Sequence, residues 1–155
     1  MPDQYNDNYS IIPHPNQPRV LLLHTDTGWT LPRHSATIPV EINAAMKEQL
    51  CITTTVLYCA YDRYQDDERE DQHLVYALEN HSPDAPLPAN GRWIGRTELA
   101  NLDLAVPEHR AVLEAWIAEV ESNEFPEQRL PWMRLGWFAS AEAWIHEQLM
   151  RLGAT

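Results

Sequence analysis

At 155 residues, 44% of them hydrophobic and six of them Trp, the chain has the length of one domain and the apolar content for a real core. Eleven Lys and Arg stand against 23 Asp and Glu, giving a net charge of −12 and an isoelectric point of about 4.8. That sign repels phosphate backbones and excludes nucleic acid as a partner, while leaving room for a nucleotide in a locally positive pocket. The opening MPDQYNDNYS lacks a basic start followed by an apolar run, and no stretch approaches the roughly 18 apolar residues of a membrane helix, so a cytoplasmic protein with no membrane partner is expected.

Residues 1–18 are polar, carry four prolines and show no periodicity, which reads as a flexible N-terminal arm. Residues 19–25, RVLLLHT, form an apolar run of strand length that turns at Asp26-Thr27-Gly28 and re-aims Trp29. Pro39 suits the first turn of a helix, and Ile42, Ala45, Met46, Gln49 and Leu50 then recur at steps of three and four to give one mostly apolar face. Residues 52–61, ITTTVLYCAY, are β-branched and aromatic, hence a strand. Cys51 and Cys59 are too few for a disulfide framework and lack CxxC spacing, so both read as small buried apolar side chains.

The charged run 62–71, DRYQDDERED, reads as a solvated connection, and Asp66, Asp67, Glu68, Glu70 and Asp71 as its surface rather than as a metal cluster. Residues 72–79, QHLVYALE, supply a second strand, antiparallel to the first. A proline-bearing loop, 81–90, leads to Gly91-Arg92-Trp93-Ile94 and a helix start at Thr97-Glu98-Leu99. PEHRAVLEAWIAEVE, from Pro107, is an amphipathic helix with Val112, Leu113, Trp116, Ile117 and Val120 as its stripe. A connector with two prolines, 122–136, precedes a last helix over residues 137–152, stopped by Gly153.

The segment 28–61 resembles a Nudix segment with a degenerate Nudix box. Trp29, Leu31 and Pro32 match the family's aromatic-x-Leu-Pro turn, and Lys47-Glu48-Gln49-Leu50-Cys51-Ile52 resembles a worn end of the box G-x5-E-x7-R-E-U-x-E-E-x-G-U. Gly91 to Leu99 resembles the family's G-x-W segment and the helix after it. Two registers of the box remain open. Anchored on Leu31-Pro32, Lys47-Glu48 matches Arg-Glu, but Arg33, Pro39, Cys51 and Ile52 replace the first Gly, the first Glu and both metal-binding glutamates. Anchored on Leu50-Cys51-Ile52, Glu48 matches one metal-binding Glu, Gln49 replaces its neighbour, and the loop is three residues short. Either way at most one metal carboxylate remains, whereas Mg²⁺ needs several hard oxygen donors in a near-octahedral set.

The resemblance implies an α/β fold with a Nudix-like mixed sheet flanked by helices in residues 19–121. Residues 122–155 add a connector and an amphipathic C-terminal helix that packs on the domain or on a partner. The phrase PWMRLGWFASAEAWI resembles the junction ahead of bacterial aminoglycoside-phosphotransferase-like kinase domains, which implies a free-standing relative or the first domain of a longer protein. A homodimer or a kinase-like domain would then meet the chain through that helix.

Functionally the expectation is a catalytically silent binding or regulatory domain for a nucleotide-like or other small ligand, without metal or cofactor. Trp29, Arg33 and His34 are its candidate ligand residues, since a ring, a guanidinium and an imidazole beside the Leu-Pro turn suit an anion or a stacked base. The alternatives are a weakly active Mg-dependent hydrolase of a nucleoside diphosphate derivative, with Glu48 as surviving catalytic candidate and Glu41 behind it, and a structural module of a kinase-like protein. The seven His show no H-E-x-x-H spacing, so zinc chemistry has no sequence support.

Overall fold

A computed structural model describes residues 7–63, 73–122 and 126–153. The chain divides into two compact units, Met1–Glu124 and Phe125–Thr155. Among its described residues the first holds seven strands in two sheets. A mixed four-stranded sheet runs β4 (Arg33–His34), β1 (Asp7–Ile11), β6 (His73–Asn80), β5 (Thr54–Arg63), with β1 and β6 parallel and the other neighbours antiparallel. An antiparallel sheet runs β3 (Gly28–Thr30), β2 (Val20–Thr25), β7 (Gly91–Ile94).

The described residues of this unit also form three helices, α1 (Pro39–Leu50), α2 (Arg96–Leu99) and α3 (His109–Ser122). Alternation along the strands sends neighbouring residues to opposite faces, and the core divides accordingly. Tyr9, Ile11, Val20, Leu22, Val75 and Ala77 pack with Leu113, Trp116 and Ile117 of α3. Ile12, Leu21 and Leu78 pack with Ile42, Met46 and Leu50 of α1. The sheets therefore lie between α1 and α3, an α/β architecture with a mixed sheet flanked by helices.

Residues 7–11 correct the reading of 1–18 as an arm: they form β1, an interior strand. The polar residues that disguised it are themselves satisfied. Asn8, fully buried, donates to Ala36 O at 3.1 Å and accepts from Leu74 N at 3.1 Å, while Ser10 meets His34 Nε2 at 2.8 Å. Tyr9 and Ile11, on the other face, enter the α3 core. Residues 1–6 lie outside the described residues, as do Asp66, Asp67, Glu68, Glu70 and Asp71 of the charged run.

The two cysteines are also a correction, since both are exposed. Cys51 caps α1 in the left-handed region at φ 57°, and Cys59 sits on β5, the edge of its sheet. The strand predicted from residue 52 begins at Thr54, because Ile52 is buried against α1 before pairing starts.

In the second unit a 3-10 turn at Pro131–Met133 precedes α4 (Trp137–Arg151). Gly136, at φ 87°, supplies the left-handed residue that starts it. Arg151 pairs with Glu147 one turn earlier, at 2.8 Å. No helix among the described residues is long and apolar enough to cross a membrane.

Candidate functional site

The Leu31-Pro32 turn joins the two sheets, carrying the chain from β3 in one to β4 in the other. Gly28 makes the approach possible: at φ 125° it adopts a conformation L side chains avoid, and a Cβ there would lie 2.6 Å from Asp103 O. Residues 103–105 thus lie tight along β3, with Trp29 N donating to Asp103 O at 2.8 Å and Ala105 N to Trp29 O at 2.9 Å. The half-buried Trp29 ring faces His24 across the strand pair, centroids 5.0 Å apart, and carries the exposed Arg92 guanidinium 5.9 Å from its centre.

Arg33 and His34 take other partners. Arg33 is exposed and forms an ion pair with Asp7, and its carbonyl accepts from Gln49 Nε2 at 3.1 Å. His34 is buried: its Nδ1 donates to Ala36 O at 3.1 Å, so its Nε2 is the acceptor for the Ser10 hydroxyl at 2.8 Å. Burial holds its pKa below 6.5 against the opposing pull of the Ala36 carbonyl, which keeps the ring neutral at pH 7. Both nitrogens of His34 are committed inside the fold. Of the three residues chosen from sequence, Trp29 carries a cation on its face, but that cation is Arg92; its signal was the cross-strand position of the G-R-W-I segment on β7.

Glu41 and Glu48 are both exposed on α1. Seven residues place them about 10 Å apart along the helix axis, two full turns, so they are not neighbours able to share one small ion. Among the described residues no group of three or more His, Cys, Asp or Glu is arranged to hold a metal ion. The donors on α1 do not fit an octahedral Mg²⁺, which demands near-ideal geometry from several oxygens.

A cluster that sequence reading missed lies at the end of the mixed sheet. His73, at the start of β6, and His109, at the start of α3, meet through their Nε2 atoms at 2.9 Å, and both are buried. Tyr9 lies against both rings. Beside them Glu108 accepts hydrogen bonds from Tyr61 Oη at 3.0 Å and from Arg63 at 2.6 Å. The available signal was phase, because His109 stands four residues before Leu113 on the apolar stripe of α3.

No family model matches the chain, and no curated protein matches it. Solved structures do. A Nudix hydrolase from Nitrosomonas europaea superposes with a TM-score of 0.57 at 14% identity, over 78% of this chain and 75% of that one. The fold is Nudix-like. An ADP-ribose pyrophosphatase from Streptococcus suis 89-1591 shares it at a TM-score of 0.54 and 12% identity, over 77% of this chain and 94% of that one. A candidate Nudix hydrolase family member from Chromobacterium violaceum matches 98% of both chains at a TM-score of 0.52 and 17% identity. A candidate oxidoreductase from Sinorhizobium meliloti 1021 also matches, with a TM-score of 0.57 and 16% identity over 77% of this chain, which spans 41% of that protein's length. In the Nudix-like frame α1 follows the Leu-Pro turn and precedes the long strand β5, the place that the sequence resemblance gives to the box helix.

Proposed function

We propose that this chain is a Nudix-like domain that binds a small nucleotide-like ligand without hydrolysing it. The observation that carries the reading is the α1 donor set: Glu41 and Glu48 are the helix's two carboxylates, two turns apart, where Mg²⁺-dependent phosphate chemistry needs a converging cluster. The ligand residues proposed are Trp29 as a ring platform, with Arg92 on its face and Arg33 at the far end of the Leu-Pro turn; His34 holds that turn in place through Ser10 and Ala36. A cation resting on an aromatic face suits the negative charge of a phosphate in an otherwise acidic protein.

Two measurements test this. In a ligand-observed NMR and thermal-shift screen of nucleoside diphosphate derivatives, at least one compound is expected to bind, with its binding weakened tenfold or more by Trp29→Ala. Assayed with Mg²⁺ or Mn²⁺, the same panel is expected to show no turnover above background. Turnover that disappears in Glu48→Gln would overturn the silent reading in favour of a hydrolase. Absence of any ligand would favour a structural module.

A further inference from the structure

His73 and His109 are 36 residues apart in sequence, yet their side chains meet in the interior at 7% and 2% exposure. Two imidazoles can hydrogen-bond Nε2 to Nε2 only as opposite tautomers, one presenting N–H and the other a bare nitrogen. Aromatic rings wall the pair: Tyr9 lies 4.5 Å from His109 and 5.2 Å from His73, and Tyr61 meets His73 edge-on at 5.9 Å. The preceding residue, Glu108, is bound to Tyr61 and Arg63 of β5. Two adjacent residues at the start of α3 thus tie it to two different strands.

We propose that Glu108 and His109 form an acid-sensitive latch fastening the first turn of α3 to β5 and β6. The imidazole pair tolerates one added proton, since an imidazolium still donates to a neutral partner. A second proton sets N–H against N–H and two like charges side by side in a buried place. The charged groups facing the pair divide: Arg63 from β5 opposes protonation, while Glu108, just ahead of α3, favours it at both rings and Asp7 from β1 favours it at His73. Tyr9 and Tyr61, pushed above 10 chiefly by burial, stay neutral throughout.

Burial is the largest influence on both imidazoles, lowering His73 below 6.5 and His109 to about 4. Burial also raises the Glu108 carboxyl, but the hydrogen bonds from Tyr61 and Arg63 outweigh it and leave the group below 4.5. The folded chain therefore binds fewer protons than the unfolded one between these limits. The latch's contribution is whole above pH 6.5 and drains as the pH falls toward 4.

The test is a pH titration of the full chain by NMR, with hydrogen exchange read at each amide. Both imidazoles are expected to titrate below pH 6.5 as a coupled pair, and the amides of the first turn of α3 to lose at least tenfold in protection at pH 4.5 relative to those of β6. The double variant His73→Gln/His109→Gln keeps hydrogen-bonding side chains without the titration, and should flatten the melting-temperature profile between pH 7 and 4. The proposal is overturned by either imidazole titrating at 6.5 or above, by α3 protection that follows β6, or by wild-type and variant profiles that run parallel. Resonances of the pair that change with EDTA would also overturn it, as the mark of a captured metal. Should the variant not fold, the wild-type titration and exchange decide alone.

Discussion

Gly28, Asn8 and Ser10 occupy positions where a single atom decides the outcome. Adding a Cβ at Gly28 drives it into the Asp103 carbonyl at 2.6 Å and strains a φ of 125°, so Gly28→Ala should cost about 1–3 kcal/mol in urea denaturation. Asn8→Ala strands the Leu74 N–H and the Ala36 carbonyl, and each buried polar group left without a partner costs on the order of 1–3 kcal/mol. The loss should appear in the midpoint with an unchanged m-value. Nothing in the string NYSI announces this. Polar residues at alternate positions look solvated until the partners that satisfy them, 28 and 66 residues away, are known. The His pair was hidden for the same reason, its members being separated by 36 residues.

Among the elements, β2, β5 and β6 were legible because buried strands need runs of β-branched, aromatic and aliphatic residues, and α1 and α3 because their apolar residues keep helical phase. Boundaries moved wherever tertiary contact outweighed propensity, as at Ile52. The end of α1 offers a direct check. Cys51 holds φ 57° there, donating its N–H to Lys47 O at 3.0 Å, and glycine adopts that conformation without a Cβ penalty. Cys51→Gly is expected to raise stability by about 1 kcal/mol in thermal or chemical denaturation. Because Cys51 and Cys59 are both exposed, two thiols should react with a water-soluble disulfide reagent in the native protein.

On the scale of the whole molecule, every residue of both apolar clusters belongs to the first unit. A chain ending at residue 124 is therefore expected to fold, with a cooperative melt by circular dichroism; a non-cooperative melt would contradict the division.

The pairing of β1 with β6 spans 66 residues and is parallel, so the interior of the mixed sheet closes only after most of the first unit has been made. Long-range parallel pairing must meet its loop-closure entropy before it gains any contact energy. During synthesis β1 emerges well before its partner β6, and until the two meet β6 keeps an open edge. Refolding should accordingly be slow for a domain of this length, and Ile11→Val should accelerate unfolding while leaving the folding rate nearly unchanged.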